Sequence, residues 1–154
     1  VSQLSLAWSA AEARGDWQLL PHGLATGTPL ASAMLVSLFT DRRASDDDQV
    51  PAGMDRGGWW GDAYSPSPWG SRLWLLRRAK VATGSREPLR RAEEYAQEAL
   101  AWLVDDGVAA SVVCSAFWQG RRLGMTVTVN QRDGATTALT FAALWDAETG
   151  PAQT

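Results

Sequence analysis

Carboxylates are the first residues in this 154-residue sequence whose types and spacing could do chemistry. Asp46, Asp47 and Asp48 run together, Asp41 and Asp55 flank them, and Asp62 stands among tryptophans. A calcium-type site needs oxygens spaced along a loop so that they converge, whereas consecutive aspartates in extended chain point in different directions. A solvated, flexible loop is the expectation for Asp46–Asp48. Glycan hydrolysis needs two carboxylates held across a cleft at a defined separation. Asp62 is the only acid inside the aromatic run, and no rigid element sets a second one opposite it. His22, the one histidine, sits in a Pro-His-Gly turn, and no Ser/His/Asp or Cys/His set can be built around it. Cys114 is the one cysteine, which excludes an internal disulfide and a cysteine metal cage. Its place in an alternating apolar strand makes it a small buried hydrophobe. No catalytic residue, metal ligand or cofactor is expected.

The other chemistry on offer is recognition. The stretch GMDRGGWWGDAYSPSPWGSRLWLLRR, Gly53 to Arg78, holds Trp59, Trp60, Trp69 and Trp74 among glycines and prolines that forbid a long regular element. These rings either plug the base of a helical layer or anchor a contact with another protein. Adjacent Trp59 and Trp60 cannot both face one core easily from an extended loop, which favours contact for some of them. Gly57, Gly58 and Gly61 permit positive φ and close approach of a partner backbone. Arg42, Arg43, Arg56, Arg72, Arg77 and Arg78 alternate with acids. They form either a solvated, ion-paired face or a set of forks for carboxylates on neighbouring subunits. A net charge of −3 with both signs interspersed gives no footprint for nucleic acid.

The elements that must position these residues are legible in outline. The length fits one domain. Thr28 and Pro29 open a helix through Thr40, with Leu30, Met34, Leu35, Leu38 and Phe39 at helical spacing. No periodic element is defensible from Asp41 to Trp69, a length that is usually functional or disordered. A short helix runs from Gly70-Ser71 to about Ala79. A third, capped by Ser85 with Pro88 in its first turn, runs to about Asp106 and stops at Gly107. Its apolar face is Leu89, Ala92, Ala96, Ala99, Leu100, Leu103 and Val104. The remainder reads as a three-stranded antiparallel meander: ASVVCSAFW, LGMTVTVN and TTALTFAALW, with Asp133-Gly134 as a hairpin signal. DWQLL, Asp16 to Leu20, is a candidate edge strand. The fold class is therefore α+β, three main helices on one face of a C-terminal meander. Residues 1–15 read as an arm or an early strand, 16–146 as one domain with a long contact loop at 41–69, and 147–154 as a tail. The N-terminus lacks the pattern of a secretory leader, and the apolar run Leu30–Phe39 is about half the length that spans a bilayer.

Four ordered blocks carry a resemblance: SLFTDRRASDDD, DRGGWWGDA, GSRLWLLRRAK and EEYAQEALAWLVDDGVA. Together they resemble the small baseplate wedge proteins of Mu-like contractile-tailed phages and prophages. That family is similar, more distantly, to the T4-type wedge and sheath-initiator protein, lysozyme-like by label only. The resemblance implies a structural virion protein of the tail baseplate, assembled in the bacterial cytoplasm. It would join wedge subunits to the central spike or hub and the first sheath ring, in multiple copies around a six-fold axis. Its partners would be other wedge proteins, hub and sheath, with no nucleic acid, membrane or cofactor. The motif residues it carries over are Arg56, Gly58, Trp59, Trp60, Gly61 and Asp62, then Gly70, Ser71, Arg72, Leu73 and Trp74. Trp69 joins them as a contact candidate. Where the family pattern has a second arginine, this chain has Gly57. The rival readings are a cell-wall glycan hydrolase and a tryptophan-platform carbohydrate-binding module. The platform would need coplanar rings on a sheet face.

Overall fold

The structure, a computed structural model, describes residues 6–9, 14–17, 19–20, 23–24, 29–50, 52–65, 67–78 and 84–146, with side chains for 29–50, 52–65, 67–77 and 84–141. Four short strands come first: β1 (Leu6–Ser9), β2 (Arg14–Trp17), β3 (Leu19–Leu20) and β4 (Gly23–Leu24). The expected edge strand at Asp16–Leu20 is divided between β2 and β3. These strands pair as β1 with β2 and β3 with β4, and neither pair extends the C-terminal sheet. The expected tail, 147–154, lies outside the described residues.

Helix α1 (Pro29–Phe39) begins on its proline, whose fixed φ suits the first helical position, and buries Met34, Leu35, Ser37 and Leu38. After the loop come α2 (Leu73–Arg78) and α3 (Arg86–Ala99). Helix α3 buries Pro88, Ala92, Tyr95, Ala96 and Ala99. Its outer face is laced by ion pairs of Arg90 with Glu87 and Glu94, and of Arg91 with Glu87. Ser85 holds the capping position without a side-chain cap bond. Its carbonyl instead accepts the Trp118 indole N–H at 2.9 Å.

The single helix expected to reach Asp106 is two. Leu100 leaves helical geometry, and a short α4 (Trp102–Asp105) follows, tightened by a 3.1 Å bond from Leu103 N–H to Leu100 O. The break has a packing cause. It lets Leu100 and Leu103 both be fully buried while the Trp102 indole donates to Ser37 Oγ on α1 at 3.1 Å. Val104, expected inside, is turned outward. Gly107 ends the segment with φ +74.

Strands β5 (Ala109–Gln119), β6 (Arg122–Gln131) and β7 (Thr136–Asp146) form one antiparallel sheet in that order. Along β6, Leu123, Met125, Val127 and Val129 are buried while Thr126, Thr128 and Asn130 face outward, the alternation expected of a one-sided sheet. A bulge at Ala109/Ser111 explains why β5 buries Ala109 and then Val112, an odd spacing. The helices cover the inner face, where Phe39 meets Phe141 edge-on at 5.5 Å. The two flanks of the sheet differ. At the β5 flank, Glu93 accepts the Ala116 N–H at 2.9 Å and Gln97 donates to Val112 O at 3.4 Å, so α3 side chains occupy strand amides. The β7 flank pairs with no further strand among the described residues.

Candidate functional site: an aromatic turn on a braced loop

The loop between α1 and α2 is pinned at both ends. Arg42 N–H donates to Ser71 O and Ser71 N–H to Thr40 O, each at 2.9 Å, forming a parallel bridge of Asp41 with Ser71. Ser71, buried, also donates its hydroxyl to Leu38 O. Gly70 enters this bridge at φ +92, and a Cβ there would lie 2.2 Å from Thr40 O. The middle of the loop rests on Trp74. That ring is 5% exposed, its indole donates to Arg42 O at 2.8 Å, and Gly57 lies so close that a Cβ would come within 2.8 Å of the ring. A bond from Ala44 N–H to Arg56 O at 2.8 Å and one from the Arg56 guanidinium to Ser45 O at 2.7 Å close the two limbs on each other. Gly58 follows at φ +112 beside Arg43. Trp74 is therefore buried in the core of the chain, the first of the two readings given for these rings, because the phase of α2 aims it under the loop.

Past Gly58 the chain winds into one 3-10 turn, Trp60–Tyr64, with Trp59 at its start. The rings of Trp59 and Trp60 meet at 5.3 Å and 47°. Gly61 is buried beneath Trp59, where a Cβ would sit 2.1 Å from the ring. Asp62 works as a staple: its N–H donates to Trp59 O at 3.0 Å and its Oδ1 accepts the Trp69 N–H at 2.9 Å. The other oxygen, Oδ2, is buried without a hydrogen-bond partner among the described residues. The turn presents Trp60 at 77% exposure and Tyr64 at 87%, with Trp59 at 43% and Trp69 at 41%. Aromatic area is thus held outward on a tight turn rather than folded away. Tyr64 was not among the residues singled out from the sequence. Its signal was present, an aromatic in the same proline- and glycine-bounded run.

The arginines divide. Arg72 points inward and is ion-paired within the chain: it bridges Asp48 at 2.9 Å and Glu98 at 3.0 Å and lies 4.6 Å over the Tyr95 ring. Glu98 also meets Arg42 at 3.5 Å. Arg56 is half-exposed, with a long 3.9 Å contact to the exposed Asp46. The expected solvated aspartate loop is corrected at one residue. The Asp48 side chain is 9% exposed and accepts from Ser45 N–H and Oγ, each at 2.8 Å. It could not be singled out among three adjacent aspartates, since its partner is 24 residues away on another element.

Burial pushes the Asp48 carboxyl up, but hydrogen bonds from Arg72 and Ser45 and the attraction of the guanidinium outweigh it and hold the group below its ordinary range. A lowered folded-state value means the pair's contribution is present above the unfolded aspartate pKa, about 3.9, and lost as pH falls through the folded value. Asp48→Asn is therefore expected to be destabilised by about 2 kcal/mol at about pH 6, with the gap closing as pH falls below the ordinary aspartate range. Denaturant midpoints across that range check it; a gap that does not depend on pH refutes it. Burial, then the charge of Glu93, pushes the Cys114 thiol up to about 12, away from nucleophilic use.

The fold and its surface define a small α+β subunit whose prominent exposed feature is a braced aromatic turn. The chain belongs to the family described as phage protein GP46, which matches residues 30–136. Over 113 residues it is 42% identical to "Baseplate protein gp46" of Escherichia phage Mu, covering 73% of this chain and 74% of that protein. Over 147 residues it is 40% identical to "Mu-like prophage FluMu protein gp46" of Haemophilus influenzae, covering 94% of this chain and 98% of that one. The resemblance to Mu-like phage proteins stands on both. Among the described residues no helix is long and apolar enough to cross a membrane, and no three metal-ligating side chains cluster.

Proposed function

We propose that the chain is a structural component of a phage-type tail baseplate, residing in the virion and working through protein contacts. The observation that carries this reading is the Trp59–Trp60–Tyr64 turn: the rings are exposed, yet the backbone beneath them is fixed by Asp62, Trp74 and the Asp41–Ser71 bridge. Holding apolar rings rigidly outward reduces the ordering cost that binding would otherwise incur. Within that role, the chain joins neighbouring wedge proteins to the hub and the first sheath ring, in copies around a six-fold axis. Arg56, Gly58, Trp59, Trp60, Gly61, Asp62, Trp69 and Gly70 present or support the contact, while Arg72 and Trp74 brace it from within. The β7 flank is the strand edge on which sheath assembly would begin by strand addition. The relatives' baseplate name and the family membership support the general role. No step of catalysis is assigned, because Asp62 is spent on holding its own loop.

Replacing Trp59 and Trp60 together by alanine is expected to leave the isolated fold intact and to block incorporation into tails. Interface aromatics typically cost about 2–4 kcal/mol each on truncation. Normal incorporation of the double variant would refute the contact reading. Outright unfolding would show that the rings serve the fold instead. Trp60→Ala alone, at the more exposed ring, guards against an indirect effect: it should fold as the parent does and assemble poorly.

A further inference from the structure

Beside the aromatic turn lies a cleft of about 420 Å³, lined in part by Trp69 and Gly70. One wall is the loop Ser65, Ser67, Pro68 and Trp69; the other is the junction of α3 and α4, with Glu98, Trp102, Asp105 and Asp106. Its size falls in the range of clefts that hold small organic groups, roughly 300–1,000 Å³. Three acids against one base, Arg42, line it, a net of −2. Glu98 is already committed to Arg42 and Arg72. Asp105 and Asp106 are exposed and make no ion pair among the described residues, so their charge is unspent. Arg132 reaches toward Gly107 next door, at 3.5 Å from where a Cβ would stand, without pairing with either acid.

The aromatic lining supplies the second half of the chemistry. Trp69 and Trp102 meet across the cleft with centroids 6.0 Å apart and planes at 51°. Two rings at that angle do not form the flat platform on which a sugar stacks. They do offer one face and one inclined wall to a planar cation, with carboxylates at the rim to take its N–H groups. Guanidinium is that cation: it is weakly hydrated, stacks on indole and forks to carboxylate, whereas an ammonium has no plane to stack.

We infer that this cleft takes an arginine side chain from a neighbouring protein, laid against the open faces of Trp69 and Trp102 and paired with Asp105 and Asp106. The inference rests on the contact reading above only in taking the donor of that arginine to be a protein. It adds a socket for a cation beside the exposed rings, so the same surface both inserts aromatics and receives a charge.

The test uses the isolated chain and follows the indole N–H signals of Trp69 and Trp102 by NMR during titration with N-acetylarginine amide. Parallel titrations use N-acetylcitrulline amide, N-acetyllysine amide and tri-N-acetylchitotriose. Arginine should shift both indoles saturably and bind at least about tenfold more tightly than its uncharged isostere citrulline. Lysine should fall between them. The affinity should drop several-fold in Asp105→Asn/Asp106→Asn and on raising salt from about 50 to about 300 mM. Equal response to citrulline, saturation by the sugar instead, or no saturation by arginine would each overturn the inference. The citrulline comparison is made on the unaltered chain, so it decides the matter even if the double variant folds poorly. No tail component is present, so a negative result here leaves the Trp59–Trp60 assembly test untouched. Normal assembly of the Trp59–Trp60 variant would leave this titration equally valid.

Discussion

Alanine at position 70 is expected to destabilise the chain by at least about 3 kcal/mol, the sum of left-handed strain and a collision with backbone. Gly70 sits at φ +92, which a side chain rarely adopts, and its Cβ would meet a carbonyl oxygen rather than a movable side chain. The oxygen is that of Thr40, which accepts the Ser71 N–H and helps hold the two ends of the loop together. Relief would have to come from parting the bridge, which would release Trp69 and the limb carrying Trp59 and Trp60. Thermal midpoint and the near-ultraviolet tryptophan circular dichroism should therefore fall together. Gly53→Ala is the control: its φ is +80, but no atom stands within 4 Å of the new Cβ. It should cost only the conformational strain, about 1–2 kcal/mol. Equal losses at the two positions would show that the close approach at Gly70 carries no energy.

Trp74→Ala is expected to cost about 3–5 kcal/mol, lowering the melting temperature of a chain this size by about 10 °C or more. The ring is nearly fully buried, and its loss would orphan the Arg42 carbonyl as well as open a void under Gly57. Trp60→Ala, by contrast, should change folding stability by no more than about 0.5 kcal/mol, because its ring contributes little to the core. The same residue type, 14 positions apart, should thus give opposite results in two assays: Trp74 in unfolding, Trp60 in assembly. A Trp74→Ala chain that melts with its parent would mean the loop is braced elsewhere.

The contrast shows where sequence reading succeeds and where it stops. The meander and α1 were legible because strict alternation and helical spacing report burial directly, and Leu123, Met125, Val127 and Val129 fall inside as their pattern requires. Helix α1 stops within a residue of its expected end. A local argument, that adjacent Trp59 and Trp60 cannot easily both face one core from an extended loop, indicated that some of the rings stand outside, without singling out Trp60. Trp74 was not separable from it by residue type. Its burial depends on the rotation of a six-residue helix against partners distant in sequence. The break after Ala99 was likewise hidden, because α-helical spacing continues across it and the Trp102–Ser37 contact that rewards it spans 65 residues. Arg72 shows the same limit: the sequence shows its charge, while the carboxylates that claim it come from the loop and from α3.

The unequal flanks of the meander have a consequence for how such a subunit could be lengthened. Glu93 and Gln97 occupy backbone groups at one margin, while among the described residues the opposite margin pairs with no further strand. A strand approaching the β5 margin would first have to displace those two side chains, so the two margins of the sheet are chemically unequal.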